Sequence, residues 1–495
     1  MNVLMRRIYM NIKKNFMYNI LYQVLSIIIP LITTPYIARV IGAQGVGIQS
    51  YTCSVVSYFT LFAMLGVNNY GNRSIAAVRD DKEKLSKTFW SIYGLQAILS
   101  IIMLSIYMIY LIFITNENKV IVGIQSIYIF SALLDINWFF FGIENFKITV
   151  TRNAFIKVIS AFSIFIFVKK QDDLYIYSLI LVIGTMISQV ILWFFIKQYI
   201  YFVRIKVKDV LEHFKPNLVL FVPVIAISIY KVMDKIMIGS LSSMTQVGFY
   251  ENSEKIINIP LGFIIALGTV MLPRMSNLLS NGLLEESKKY ISISMEFVMF
   301  IAIGSSFGLA AIAPIFVPIF LGREFTDCID VVVLLVITIL FIAWANVIRT
   351  QYLIPKKMDK VYIASTALGA VVNFGINIFL IGSYGAKGAS IGTIFAEFSV
   401  ALYQTIKVKD DLDIKLYLKK SIVYIFPGLV MYLSIKAIGY YFNSTSVSVG
   451  IIEIFVGGLI YLVISFAYMV KSKNKLALDI VNKFKSKFII EKAVR

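Results

Sequence analysis

The chain has 495 residues, 59% hydrophobic and only 15% charged, with a mean hydropathy of +0.82 and a formal net charge of +20. Soluble domains carry about 25% charged residues and about 45–50% apolar ones, so a soluble enzyme or binding module is excluded and a polytopic membrane protein is indicated. One histidine and two cysteines, Cys53 and Cys328, offer no zinc or haem ligand set and no reason for a disulfide.

Apolar runs long enough to span a bilayer place about fourteen transmembrane helices, at 16–40, 44–67, 89–114, 120–141, 153–168, 174–197, 217–240, 249–273, 290–313, 328–354, 358–382, 386–406, 421–440 and 447–470. The fold class is an all-α polytopic membrane protein. The first run follows Arg6, Arg7, Lys13 and Lys14 and is too long for a cleavable signal, so it reads as a signal anchor. His213 falls in a basic loop and is expected to be solvated. Of the 47 Lys and Arg residues, 37 lie on alternate connectors and termini that share one side, six lie on the other side, and Lys231, Lys235, Lys255 and Lys436 lie within spans. This split puts both termini in the cytoplasm. It accounts for the basic net charge as topology and attraction to anionic lipid, with no nucleic-acid partner.

Internal matches recur at offsets near 200. ARVIGAQGVGIQSY at 38–51 parallels KIMIGSLSSMTQVGFYEN at 235–252, and IGTMISQV at 183–190 parallels IGTIFAEF at 391–398, which sets Gln189 opposite Glu397. Trp138 with Glu144 and Lys147 parallels Trp344 with Gln351 and Lys356. Each unit holds six spans, an even number, so the repeats are parallel. The expected organisation is an N-terminal six-helix bundle at 1–205, a second at 206–410, and two extra helices with a basic tail at 411–495.

Charge is concentrated where the second repeat begins. Lys231, Asp234 and Lys235 share one face of the seventh span, and Glu251, Glu254, Lys255 and Asn258 share one face of the eighth. Each Lys or Asp at a span centre costs roughly 2.5–3.5 kcal/mol, and each large apolar residue returns about 0.3–0.6 kcal/mol. The charged face therefore looks into a wet or polar interior. A fixed ion-pair network that only holds helices together is the plainer alternative. In the first span Pro30 and Pro35 are expected to bend the helix and serve as a hinge, with Thr33 and Thr34 re-satisfying freed carbonyls. A static kink is the alternative. No nucleophile–base pair and no phosphate-binding glycine loop occurs, so no catalytic residue is assigned and the chain is not expected to be an enzyme.

The segments PLITTPYIARVIGAQGVG (30–47), DINWFFFGIENFK (135–147), YKVMDKIMIGSLSSMTQVGFYENSEKI (230–256), VMLPRMS (270–276) and YGAKGASIGTIFAE (384–397) resemble bacterial oligosaccharide flippases of the Wzx type. These sit in the superfamily that also contains multidrug and toxin extruders and lipid II flippases. The resemblance covers about residues 10–410. It implies two six-helix bundles that open alternately to each side of the bacterial cytoplasmic membrane. It also implies an undecaprenyl-diphosphate-linked oligosaccharide substrate moved to the outer leaflet for O-antigen, capsule or exopolysaccharide assembly, with membrane lipids and a polymerase as partners. A diphosphate headgroup calls for cations, and Arg39, Lys231, Lys235, Lys255, Arg73 and Arg274 are the candidates. Arg39 as an interface anchor, Lys255 as a partner of Glu251, and Arg73 and Arg274 as lipid-headgroup contacts are the plainer roles. Asp234, Glu251, Glu254, Glu397 and Asp135 are candidates to position those cations or to carry a coupling proton or sodium ion; no other cofactor and no metal is implied. A drug exporter of the same fold and a membrane-embedded polysaccharide polymerase are the competing readings. The first should favour acidic cavities, and the second a long polar loop with catalytic side chains.

Overall fold

Backbone that crosses lipid must satisfy its own polar groups, and a helix does so within one segment. The computed structural model follows this rule throughout: no strand occurs among the described residues. Those are 2–115, 118–442 and 446–472, without the side chains of 2–24, 27, 222, 223, 226, 227 and 229–231. The side chain of Lys231 and the basic tail beyond residue 472 thus lie outside the described residues. The helices are α1 (Asn2–Met64), α2 (Val67–Val78), α3 (Lys82–Ile109), α4 (Lys119–Leu133), α5 (Asn137–Gly142), α6 (Phe146–Phe167), α7 (Leu174–Ile196), α8 (Val207–Leu211), α9 (Phe214–Leu241), α10 (Met244–Ser280), α11 (Leu284–Leu321), α12 (Cys328–Ile348), α13 (Asp359–Val408), α14 (Ile414–Ile422), α15 (Ile425–Phe442) and α16 (Val447–Lys471). Among the described residues, eleven helical segments are long and apolar enough to cross a membrane. Two of them hold a pair of expected spans each, joined without a loop. The joints are Gly42 in α1 (φ 77°, ψ 173°) and Gly385 in α13 (φ 53°, ψ −127°), dihedrals that glycine adopts without steric cost.

The chain leaves helical dihedrals at Gly42 and stays helical through Pro30 and Pro35. Thr33 Oγ1 donates to the Ile29 carbonyl at 3.0 Å. The carbonyls freed by the two prolines are those of Ser26 and Leu31, four residues before each, so Thr33 does not play the expected compensating part. α10 likewise runs through Pro260 and Pro273.

Packing groups the helices into two compact units that cut across the repeat boundaries. The first gathers the described residues up to Lys255 with Thr366–Ala396, and the second holds Ile256–Ser365 with the described residues from Glu397 onward. In the first unit an aromatic core forms around Phe89, Trp138, Phe139 and Phe140, all fully buried, and Trp138 Nε1 donates to Gln96 Oε1 at 2.9 Å.

A close helix approach in this unit joins the two matched motifs. A Cβ on Gly47 would overlap the carbonyl oxygen of Met244, and a Cβ on Gly248 would overlap that of Ala43. The contact is reciprocal: 43 and 244, like 47 and 248, are 201 positions apart. The sequence repeat has therefore become a local two-fold contact of backbone on backbone. Small residues permit such an approach where lipid supplies no hydrophobic drive between helices. One turn further on, Gly239 of α9 lies under the ring of Tyr51.

In the second unit α15 and α16 pack along α11. Tyr461 donates to the Phe300 carbonyl at 2.7 Å, and Ala311, Met431, Ile435 and Tyr461 form a buried cluster. The last two spans are thus packed into this unit and not appended to it. His213, expected to be solvated, is half-buried and 2.7 Å from the Tyr70 hydroxyl. Burial holds its imidazole below the ordinary range, which favours the neutral ring.

Gly47→Ala and Gly248→Ala should each cost about 1–3 kcal/mol or more, because a backbone must move to admit the methyl group. The double variant should cost less than the two added, since one separation relieves both overlaps. Gly375→Ala, where an added Cβ meets nothing, should be neutral or stabilising by about 0.5–1 kcal/mol. Thermal unfolding in detergent reads all four.

Candidate functional site

The glycine contact sets the register of the charged residues. α1 past Gly47 carries Ser50, and α10 past Gly248 carries Tyr250, Glu251, Glu254 and Lys255. Opposite them, α9 presents Asp234 and Lys235. Adjacent helix residues point about 100° apart, and these two go to different partners, so the single charged face expected for α9 is divided.

Lys235 Nζ lies 2.6 Å from Glu251 Oε2 and 2.9 Å from Glu254 Oε2, and Lys255 Nζ lies 3.1 Å from Glu251 Oε1. Ser50 Oγ donates to Glu251 Oε2 at 2.8 Å. Lys235 and Glu251 are mostly buried, with side chains 17% and 16% exposed. The cluster contains two ammoniums and two carboxylates. Lys235 and Lys255 therefore do not stand as unmatched cations for a diphosphate, and the plainer reading of an ion-pair network describes them at rest.

Asp234 is 4% exposed and has a different shell. Its carboxylate accepts from Tyr250 Oη at 2.7 Å, Asn377 Nδ2 at 2.5 Å and Thr393 Oγ1 at 3.0 Å. Asn377 Nδ2 also reaches Asn373 Oδ1 at 3.1 Å, and Asn377 Oδ1 is buried with no hydrogen-bond partner. Among the described residues, every group that donates to this carboxylate is neutral. Neutral hydrogen-bond donors, with no cation among them, thus stabilise this carboxylate in the described structure.

Asp135 heads a third group, between α4 and α5. Its Oδ1 accepts from the backbone N–H of Asn137 at 2.9 Å and from Asn137 Nδ2 at 2.7 Å. Asn137 in turn reaches Gln189 and the buried Arg152. Arg39 and Arg73 are exposed, on α1 and α2. Arg274 and Glu397 belong to the second unit. There the Arg274 guanidinium donates to the Tyr290 hydroxyl and lies 4.1 Å from the centre of its ring, and Glu397 is partly buried on α13. The structure thus joins Lys235, Glu251, Glu254 and Lys255. It holds Asp234 and Asp135 in networks of their own. Sequence reasoning missed Tyr250, Asn377, Thr393 and Arg152. The available signal was an uncharged polar or basic side chain within or beside an apolar run, which is too common a feature to single them out.

Lys235→Ala should destabilise the protein by about 3–5 kcal/mol, the usual cost of leaving a buried charge without its partner. Lys235→Met combined with Glu251→Gln should recover most of that loss. A double-mutant cycle on thermal unfolding reads the coupling; strict additivity of the two changes would show that the pair contributes nothing.

A family model described as "Polysaccharide biosynthesis protein" matches residues 12–279, the stretch that carries all three polar networks in part or whole. A protein of Shigella dysenteriae named "Putative O-antigen transporter" is 23% identical over 400 residues, covering 80% of this chain and all of the relative. A protein of the same name from Escherichia coli K12 is 24% identical over 259 residues, covering 52% of this chain and 62% of that one. In fold, the chain is similar to the lipid II flippase MurJ in an inward closed conformation, with a TM-score of 0.74, 17% identity, and coverage of 93% of this chain and 99% of the other. It is less similar to an inward-facing multidrug transporter of the MATE family, with a TM-score of 0.54, 15% identity, and coverage of 78% and 98%. The chain is a multi-pass membrane protein with the fold of this transporter superfamily, and it belongs to the polysaccharide biosynthesis protein family.

Proposed function

We propose that the protein is a flippase that moves an undecaprenyl-diphosphate-linked oligosaccharide from the inner to the outer leaflet of the bacterial cytoplasmic membrane, supplying O-antigen, capsule or exopolysaccharide assembly. The observation that carries this reading is the family match across α1–α10, the helices that hold most of the buried charge. The printed name of the Shigella relative, which the chain spans in full, points the same way, and the Lys and Arg asymmetry supports cytoplasmic termini. The long lipid tail stays in the bilayer while the polar headgroup passes between the repeats, residues 1–205 and 206–410, by alternating access. A polysaccharide polymerase would consume the product, and no covalent chemistry is assigned to this chain.

In this reading the Gly47–Gly248 contact and the Ser50–Glu251 bond, which join the two repeats, come apart in each cycle, while the Lys235–Glu251–Glu254–Lys255 cluster lies wholly within the second repeat. Separation opens this cluster to the diphosphate, which competes with Glu251 and Glu254 for Lys235 and Lys255. Asp234 carries the coupling ion, either sodium or a proton. A carboxylate in this setting is costly without a positive charge, so its charge state is tied to the arrangement of Tyr250, Asn377 and Thr393 around it.

A strain lacking the gene should accumulate complete lipid-linked repeat units in the inner leaflet and lose surface polysaccharide. Truncated units, units that reach the outer leaflet, or an unchanged lipid profile would each contradict the proposal. Asp234→Asn should reduce ion-driven transport by about 5–150-fold, the range of typical coupling energies, and abolish its dependence on the ion gradient. Retained gradient dependence in that variant would remove Asp234 from the coupling role.

A further inference from the structure

A cavity of about 430 Å³ opens within the first unit, lined by residues of α1, α4, α5, α6, α7 and α10. Its volume lies in the range of small-molecule sites. Its polar lining is set by one residue just behind it. Arg152 is 6% exposed, and a guanidinium can only donate hydrogen bonds. Its Nη2 donates to Asn137 Oδ1 at 2.9 Å and to Asn153 Oδ1 at 2.8 Å. Both amides are thereby oriented with their carbonyls toward the arginine. Ser188 Oγ adds a bond to Asn153 Oδ1 at 2.9 Å. Asn137 Nδ2 then faces outward and donates to Gln189 Oε1 at 3.1 Å, which consumes the carbonyl of the next amide.

Each acceptor in this relay is taken from behind. What remains for the cavity is Nδ2 of Asn153 and Nε2 of Gln189, two donors with no partner among the described residues. Lys157 and Lys255 also line the space, Lys157 bonded to Ser26 at 2.9 Å and Lys255 to Glu251 at 3.1 Å. No Asp or Glu occurs among the described lining residues. A neutral sugar hydroxyl gives and takes hydrogen bonds in equal measure, whereas the Arg152 side of this wall offers two unmatched donors beside two ammoniums. Carboxylate and phosphate oxygens, which only accept, complement it.

We propose that this cavity is a binding site for an oxyanion of the transported headgroup, either the carboxylate of an acidic sugar or a phosphate, with Asn153 and Gln189 as the selecting donors and Arg152 as the residue that positions them. The proposal rests on the transport reading above for the identity of the ligand, but its test involves no transport.

The full chain in lipid nanodiscs is titrated calorimetrically with glucuronate, inorganic pyrophosphate and glucose. At least one anion should bind about tenfold or more tightly than glucose. Asn153→Asp with Gln189→Glu, which turns both donors into acceptors, should abolish that preference; the carboxylate introduced at position 153 would still meet Arg152, so the fold should hold. Lys157→Gln is the second variant and should weaken the same anion, with Lys157→Arg restoring it. Preference for glucuronate identifies the source as an acidic sugar, and preference for pyrophosphate identifies the carrier's diphosphate. Equal binding of glucose and both anions, or anion binding untouched by all of these variants, overturns the site. An anion-selective site in a protein whose deletion leaves lipid-linked intermediates unchanged would sink the transport reading and spare the binding site.

Discussion

The contact of Ala43–Gly47 with Met244–Gly248 is the constraint on which the arrangement of the first unit's polar interior depends. Two backbones meet with no side chain between them, and an added methyl on either glycine would overlap the opposing carbonyl. Because the contact is reciprocal, it fixes both the distance and the rotation of α1 against α10. Ser50 then falls 2.8 Å from Glu251, and Lys235 on α9 reaches two carboxylates at once. Lipid offers no hydrophobic drive for two helices to associate. The join is held by close packing and by the polar groups it aligns, and a join of that kind can be undone by a competing polar ligand.

Three clusters of buried charge in the first unit are managed in three different ways. Lys235, Lys255, Glu251 and Glu254 neutralise one another. Arg152 is met by amide carbonyls. Asp234 is met only by neutral donors among the described residues, so its charge has no fixed counter-ion in its shell. Of the three, that arrangement is the one in which a carboxylate is held by neutral donors alone among the described residues. This difference, rather than the presence of charge as such, separates a coupling candidate from a structural one.

Much of the fold was legible because the bilayer imposes a simple rule on sequence. Apolar runs became helices, and the two IG…VG motifs, matched at an offset near 200, proved to be the two halves of one contact. The i, i+3, i+4 spacing placed Glu251, Glu254 and Lys255 together as expected. What the sequence did not disclose were partners far along the chain. Asp234 is held from Asn377 and Thr393, more than 140 residues away, and no local pattern encodes that. Spacing also grouped Asp234 with Lys235, although neighbours on a helix diverge by about 100°. The departure from helical dihedrals in α1 falls at Gly42, beyond both prolines. A proline removes one hydrogen bond that surrounding helices can tolerate, whereas Gly42 adopts a positive φ that most other residues resist. Counting charge along one element did not reveal that Lys235 is paired with Glu251 and Glu254. Its counter-ions sit on a neighbouring helix.

The central claim is translocation of a lipid-linked saccharide, and reconstitution tests it most directly. Purified protein would be placed in liposomes with the lipid-linked oligosaccharide from the native host loaded in the inner leaflet, and a membrane-impermeant sugar oxidant would report its arrival outside. The account predicts labelling that rises with time in liposomes containing the protein and stays at background in protein-free liposomes. Background labelling in both, with the protein shown to be folded and inserted, would contradict it.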